Sequence, residues 1–394
     1  MSNHNPEYAI LIHYSEIALK KNNRSFFERK FVENITKHIK NLKYSKVRRI
    51  SSRIFVEGIQ YDQWDEFKGR IKNVMGMKNA ILMIKSNHNL DDMKNTIDIL
   101  VDKYEYDTFR ITCKRHFKGY EKTSQEINML LGEHVVNKTK KSVNLTSPDL
   151  NIIVEILKDK AYIGSSKILG YSGLPARSQE KAFSLISSGI DSPVASFEMI
   201  KRGVNLNFIH FHSAPAVNRQ SIENVKKLIN LLLKYQLECK LYIVPLLDVQ
   251  QKIMQEVKDK FWVIFFRRSM IKIANKIALS NKGAALVTGD AVGQVASQTL
   301  SNIRAISEAS TLPILRPLSG MNKEDIINRA REIGTYDISI EPYQDCCSFF
   351  VPAHPETKAK MFEIFKIDEN LDLDNVHQKA IEDLEVINYK YRGE

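Results

Sequence analysis

The run Ser187-Ser188-Gly189-Ile190-Asp191-Ser192 stands between an apolar stretch, Ala182 to Ile186, and a stretch of helical character from Ser192 to Lys201. A turn that opens a helix leaves backbone N–H groups unpaired and pointing outward, where they can receive a phosphate. Ser187 and Ser192 would add hydroxyl donors, and Gly189 would let an anion come close to the backbone. Asp191 is awkward beside phosphate unless it holds a metal ion or orients a nucleophile. The run is not a Walker A loop, because G-x-x-x-x-G-K-[ST] is absent. The same residue types also make an ordinary helix cap.

Two other segments carry candidate chemistry. Gly289 to Thr299 (GDAVGQVASQT) is rich in small and amide side chains for an entry into a helix. His210-Phe211-His212-Ser213 closes a β-like stretch, with both histidines on one face. They read equally as ordinary strand-end residues. A zinc site would need further ligands, and no Cys or His pair of metal spacing lies nearby. Of the four cysteines, Cys113 and Cys239 read as core, while Cys346 and Cys347 sit in a loop-like stretch from Pro342 to Pro352. None forms C-x-x-C, which argues against a disulfide framework or an iron–sulfur cluster held by this chain alone.

The elements that must position these groups follow from periodicity. From Ala182 onward the pattern is βαβ: strands at 182–186, 207–211, 241–244 and 284–288 alternate with helices at 192–201, 222–235 and 261–279. That order predicts a parallel sheet covered on both faces, with ligands at the carboxyl ends of the strands. Before it lies an α+β region. Tyr8 to Tyr14 reads as a strand, Arg24 to Leu42 as a helix with Phe27, Phe31, Ile35 and Ile39 on one face, and Ser45 to Val56 as paired strands. Ala80 to Ile84, Thr108 to Lys114 and Asn151 to Ile156 read as further strands. A helix from Ser124 to Lys138, capped by Ser124, falls between the last two. Gly, Ser and Pro gather at 164–175, which predicts a linker over about 165–178. The last 29 residues, with 8 acidic and 4 basic groups, read as a solvated, partly helical tail.

The chain has 394 residues, 43% of them apolar, enough for two or three domains with real cores. Its longest apolar run, Phe261 to Phe266, is six residues, far short of the roughly 20 of a membrane helix. With no signal-like N-terminus and few cysteines, a reducing cytoplasm is the expected location. The formal net charge is +12, and residues 1–58 hold 12 basic against 5 acidic groups. A basic N-terminal region on a nearly balanced remainder fits a polyanion-binding module joined to another function. Lys114, Arg115, Lys118 and Lys122, interleaved with Phe117 and Tyr120, and the cluster Lys20, Lys21 and Arg24 are the candidates for following a nucleic-acid backbone.

At these residues the chain resembles the tRNA 4-thiouridine synthetases, the ThiI-type tRNA sulfurtransferases. SSGIDSPVA at 187–195 is similar to that family's PP-loop. KRGV at 201–204, HFHS at 210–213, RR at 267–268, TGDAVGQVASQTL at 288–300, LRPL at 315–318, IGTYDISI at 333–340 and DCCSFF at 345–350 resemble its other signatures, in order. YSEIALKKNNRSFFERKFVENI at 14–35 resembles its ferredoxin-like domain. The CKRHFK, SQEIN and SPDLNIIVEI runs between 109 and 156 resemble its THUMP domain.

The resemblance implies a ferredoxin-like domain at 1–60, a THUMP RNA-binding domain at 61–167 and a PP-loop catalytic domain at 168–394, a parallel sheet of the adenine nucleotide alpha hydrolase type. It implies ATP and Mg2+, tRNA as substrate, a cysteine desulfurase as sulfur donor, a homodimer and no membrane. The reaction would adenylate O4 of the uridine at tRNA position 8 and replace it with persulfide sulfur, with thiamine thiazole sulfur transfer as a further role. Leu185, Ile186, Ser187, Ser188, Gly189, Asp191, Ser192, His210, Phe211, Arg267, Gly289 and Gln298 would bind ATP, with Arg268, Asp290 and Gln294 as neighbours. Asp191 and Cys346 would be the catalytic residues, Cys346 (or Cys347) as persulfide carrier or resolving thiol. Lys20, Arg24, Lys114, Arg115 and Lys118 would meet RNA. Two departures stand out. Ser188 occupies a position where the family has Gly, and the chain lacks the rhodanese-like domain that some members append. The alternative function is a tRNA-binding THUMP protein with weakened PP-loop chemistry.

Overall fold

The computed structural model describes residues 6–50, 52–342, 350 and 352–393. They divide into two compact units, one ending at Leu174 and the next starting at Pro175.

The first unit runs β1 (Tyr8–Tyr14), α1 (Arg24–His38), β2 (Lys46–Ile50), β3 (Arg53–Ile59), α2 (Trp64–Ile71), β4 (Met77–Ser86), α3 (Leu90–Val101), β5 (Thr108–Arg115), α4 (Ser124–Thr139), β6 (Ser142–Val143), β7 (Leu150–Ile156) and β8 (Ala161–Leu169). Its strands share one sheet in the order β2-β3-β1-β4-β8-β7-β5-β6. Ile10 and Ile12 of β1 pack with Phe27, Phe31 and Ile35 of α1, while Ala9 and Leu11 are buried in a second cluster with Phe55, Met83 and Tyr162. Burial on both faces explains why β1 reads YAILI without polar interruption.

The second cluster is closed by curvature. The Tyr162 hydroxyl of β8 donates to Glu57 of β3 at 2.8 Å, and the Tyr162 ring lies 4.7 Å from that of Phe55. Two strands separate β3 from β8, so a flat sheet would hold them about 14 Å apart. Inside the curl, Glu155 is wholly buried, hydrogen-bonded to His116 and paired with Arg53 at 3.3 Å. A carboxyl group at such a depth needs polar partners of this kind.

The second unit runs β9 (Lys181–Leu185), α5 (Asp191–Lys201), β10 (Asn205–His212), α6 (Gln220–Gln236), β11 (Glu238–Pro245), α7 (Leu247–Glu256), α8 (Trp262–Ser280), β12 (Ala285–Val287), α9 (Leu300–Ser307), β13 (Ile314–Leu315), α10 (Lys323–Ile333), α11 (Tyr336–Ser339), α12 (Met361–Asn370), α13 (Asp374–Glu382) and β14 (Glu385–Lys390). The sheet order is β13-β12-β9-β10-β11-β14, parallel throughout except for β14. Phe183, Ile209, Phe211 and Leu286 point into a core with Phe265, Phe266 and Ile273 of α8. The opposite face meets α6, where Ser221 hydrogen-bonds His210. From β9 the chain goes to β10 on one side, and β12 later joins on the other. The carboxyl end of β9 is therefore the crevice where a doubly wound sheet binds ligands.

Four expectations about elements change. The helix α1 ends at His38, and Ile39 to Leu42 close as a turn whose apolar residues are buried all the same. The cap of α4 is Thr123, not Ser124: its hydroxyl accepts from the Glu126 N–H and Glu126 returns the bond to Thr123, a capping box that needs Glu three residues on. The stretch read as a linker begins as strand, since β8 continues to Leu169 against β4. Gly164 is there because a Cβ would sit 2.1 Å from the Leu82 carbonyl at a bulge, not because the chain is loose. The C-terminal stretch is no solvated tail: Ile364, Leu371, Leu373 and Ala380 join the second core, and β14 pairs with β11 from Glu238 to Ile243. Most of its acidic groups occupy the exposed sides of short amphipathic elements, while Asp368 turns inward to Arg268 and Lys272. Among the described residues, no helix is long and apolar enough to cross a membrane.

Candidate active site

A cavity of about 510 Å³ opens at the carboxyl ends of β9, β10 and β12. Its apolar part is formed by Leu185, Ile186, Ile209, Phe211, Val263, Met270 and Ile271. Its polar part is formed by Ser187, Asp191, Ser192, Arg267, Thr288, Asp290, Ser297 and Gln298. A pocket that is mostly apolar, with a few convergent polar groups at one side, suits a flat base joined to a charged tail.

The loop after β9 is closed by its own serines. Ser187 N–H donates to Ser192 Oγ at 2.8 Å, and the Ser192 hydroxyl donates back to the Ser187 carbonyl at 3.1 Å. Ile190 is the N-cap of α5, and no side chain caps the helix. The ordinary-cap alternative for this run is therefore not what the serines do. The first-turn N–H groups of Asp191 and Ser192 have no side-chain cap, and both residues line the cavity; Pro193 follows in the first turn, where no intrahelical bond is lost. Gly289, from the loop after β12, lies against this turn: a Cβ there would be 2.8 Å from Ser192 N and 3.0 Å from the Asp191 carbonyl carbon. Only glycine allows the two backbones to approach so closely.

Asp191, the first residue of α5, accepts from Lys323 Nζ at 2.6 Å and from Gln294 Nε2 at 3.0 Å. Asp290 is almost completely buried and receives Arg267, Thr288 at 2.8 Å, Arg316 Nε at 3.1 Å and Gln298 Nε2 at 3.5 Å. Burial alone would raise its pKa, but Arg267, then Thr288 and Arg316, override this and hold it below the ordinary carboxylate value. Arg267 also donates to Ser297 at 3.1 Å. Gln298 is buried at the cavity wall, and its Oε1 has no hydrogen-bond partner among the described residues.

His210 is buried, with Nδ1 2.9 Å from the Ile186 carbonyl and Nε2 3.3 Å from the Ser221 hydroxyl. The carbonyl can only accept, which assigns the proton to Nδ1 and leaves Nε2 to accept from Ser221. Burial pushes its pKa down to about 4, so it is neutral at pH 7.

Residues 177–373 match the family model described as thiamine biosynthesis protein (ThiI). Residues 9–80 match the ThiI ferredoxin-like domain and residues 87–166 the THUMP domain. The chain is 38% identical over 377 residues to a probable tRNA sulfurtransferase of Thermoanaerobacter pseudethanolicus, covering 95% of this chain and 97% of that one. The chain belongs to the ThiI family. A probable tRNA sulfurtransferase of Alkaliphilus oremlandii is 39% identical over 386 residues, covering 96% and 98%. A crystal structure of a 4-thiouridine synthetase–RNA complex with bound ATP has the same fold, with a TM-score of 0.89 and 34% identity, covering 98% of this chain and 100% of that one.

Of the twelve residues expected at the nucleotide of this ThiI-family chain, ten line the cavity. Ser188 and Gly189 do not; Ser188 is fully buried and its hydroxyl has no hydrogen-bond partner among the described residues. Among the described residues positive φ occurs at seven other non-glycine residues and not at Ser188, so the serine imposes no left-handed strain there. Gln294 touches Asp191, and Asp290 lines the cavity, as their neighbourhood implied. Arg268 points the other way, to the Ala305 carbonyl, Glu308 at 2.8 Å and Asp368 at 3.0 Å, and ties α8 to α9 and α12. Sequence reasoning missed Lys323 and Arg316. Both lie far along the chain from the acids they meet, and only the unexplained LRPL run hinted at Arg316. Cys346 and Cys347 lie outside the described residues.

The candidate RNA contacts are in the first unit. Lys114 and Lys118 are exposed. Arg115 is turned inward and donates to the carbonyls of Tyr120 at 3.1 Å and Lys122 at 2.8 Å, holding the loop that carries Lys118. Lys20 stacks over Phe27 at 5.0 Å. Arg24 binds Glu28 at 3.0 Å and, with Lys21, Ser25, Arg49 and Ser52, lines an open depression of about 530 Å³. Arg49 had no signal in the sequence beyond its charge.

Proposed function

We propose that this chain is an ATP-dependent tRNA 4-thiouridine synthetase, and the observation that carries the reading is the cavity at the end of β9. The uncapped first turn of α5 would take the phosphates and the apolar wall the adenine. The nucleotide in the related RNA complex supports this assignment. A uridine O4 would attack the α-phosphorus of ATP, and pyrophosphate would leave. The outer sulfur of a persulfide would then attack C4, and AMP would leave with the former uridine oxygen. A second thiol would attack the carrier sulfur, breaking the S–S bond, releasing the thiouridine and leaving a disulfide between carrier and thiol. A carbonyl oxygen is a poor leaving group and AMP a good one, so the protein's work is positioning and phosphate electrostatics.

A magnesium ion arriving with the phosphates fits the residues present, because such ions are held by one or two carboxylates plus phosphate oxygens, and Asp191 offers one. When bound, it would screen phosphate charge. Asp191 is now engaged by Lys323 and Gln294, both of which can turn to phosphate oxygens instead. The proposal extends to the three-part division at 1–60, 61–167 and 168–394, a cysteine desulfurase as donor, Cys346 as sulfur-handling thiol, a homodimer, a cytoplasmic site of action and a further role in thiamine thiazole sulfur transfer. The reading as a binding module with weakened loop chemistry rested on Ser188, and the absence of positive φ there removes its support.

The test is pyrophosphate release by the purified protein with ATP, with and without unmodified tRNA. Release that needs tRNA and disappears in Asp191→Ala is the expected result. Binding of tRNA with no release in the wild type would overturn the proposal.

A further inference from the structure

The LRPL run places Arg316 where the nucleotide reading gives it no part. Thr288 N–H donates to the Leu315 carbonyl at 3.0 Å, and this ladder bond between β12 and β13 sets Arg316 beside Asp290. Arg316 Nε donates to Asp290 Oδ2 at 3.1 Å, and its Nη2 to the Ser307 hydroxyl of α9 at 2.8 Å. Its side chain is 13% exposed, and it does not line the cavity. Asp290 thus lies between two guanidinium groups, with Arg267 on its other oxygen and facing the cavity.

The charge count of this triad matters. One carboxylate paired with Arg267 alone would cancel the charge that Arg267 presents to an anion. Shared between two arginines, the same carboxylate leaves one net positive charge at the cavity wall. Low exposure of all three groups keeps solvent from screening that charge away.

We propose that Arg316 is a positioning residue that keeps Arg267 electropositive toward the polyphosphate by sharing Asp290. The inference rests on the nucleotide reading above. It makes Arg316 responsible for the charged part of the ligand and indifferent to the base.

The experiment compares equilibrium binding of ATP and of uncharged adenosine to the full chain. Arg316→Met should weaken ATP by about tenfold or more and leave adenosine within about twofold, because only the phosphates feel the lost charge. Arg316→Lys should stay within about threefold of wild type for ATP, since the charge is kept. Adding Asp290→Asn to Arg316→Met restores the net positive charge and should recover most of the ATP affinity. A structural role predicts the opposite, with the double variant as weak as the single one or weaker. Arg316→Gln, which keeps a donor toward Asp290, serves if the Met variant does not fold. Equal losses for ATP and adenosine, or no recovery in the double variant, would overturn the inference while leaving the nucleotide site intact. A wild type that binds adenosine and not ATP overturns both readings.

Discussion

Lys323 and Asp191, 132 residues apart in the chain, are each the first residue of a helix and meet at 2.6 Å. An acid suits a helix N-terminus and a lysine does not, so Lys323 sits against its own helix dipole and is satisfied by the partner across the site. The pair is partly exposed, with the lysine side chain 43% accessible. Lys323→Met should therefore change the unfolding free energy by less than about 1 kcal/mol. It should nonetheless cut tRNA-dependent pyrophosphate release by about 100-fold, through lost phosphate stabilisation. Full activity in the folded variant would reduce the pair to a surface contact.

Gly289→Ala tests the close approach of the loop after β12 to α5. A methyl group 2.8 Å from Ser192 N must push one backbone away. The expected cost is about 1–3 kcal/mol of stability. An ATP affinity lowered at least tenfold, roughly, is expected with it, since a displacement of about 1 Å spoils orientation. Calorimetric titration with ATP reads the second effect and thermal unfolding the first. Unchanged affinity would mean that the glycine serves only the turn.

Burial holds His210 and His377 at pKa values of about 4. In the unfolded chain both titrate near 6.5. Between those values the unfolded state takes up protons that the folded state refuses. Stability is then fully present above pH 6.5 and falls as pH drops toward 4, by roughly 3 kcal/mol for each histidine over the whole window. His377 Nε2 has no hydrogen-bond partner among the described residues, so His377→Leu loses little at neutral pH. Urea midpoints at pH 7.5, 6 and 4.5 should fall less steeply in that variant than in the wild type.

Ser188→Ala should stabilise the protein by about 1 kcal/mol, because it removes a buried hydroxyl that has no partner among the described residues. ATP affinity should stay within twofold, roughly, as the side chain does not reach the cavity. A large loss of ATP binding would return this hydroxyl to the phosphate site.

Tyr162→Phe probes the curl of the first sheet. It leaves the ring on Phe55 and removes the bond to Glu57, which retains Arg48. A cost of about 1–2 kcal/mol is expected in urea unfolding. A neutral result would show that ring packing alone closes the curve.

The parts legible in sequence were those with short-range causes. The strand Tyr8–Tyr14, the helix phase of Phe27, Phe31 and Ile35, and the βαβ order after Ala182 are written in local periodicity, and the loop at 187–192 could be placed because it follows a strand and opens a helix. The partners of those acids could not. Nothing near Lys323 or Arg316 announces Asp191 or Asp290, since the sheet order that brings them together is a property of the whole unit. Composition misled near the end of each unit. Gly164 and its serine neighbours looked like the start of a linker but mark a bulge, and an acidic C-terminal stretch looked solvated although every few residues it sends an apolar side chain into the core.

The edge strand β14 bears on the timing of synthesis. A chain emerging from the ribosome exposes the whole strand set of the first sheet by Leu169, and that unit can fold while the rest is still being made. The second sheet has no such early point. Until residues near 390 appear, β11 offers a bare hydrogen-bonding edge, and the core around α8 lacks Ile364, Leu371 and Ala380. The cavity at the end of β9, though most of its residues lie mid-chain, is therefore among the last features of the nascent protein to become whole. A ribosome stalled shortly before that strand would display a finished N-terminal unit tethered to an enzyme half that chaperones still have to shield.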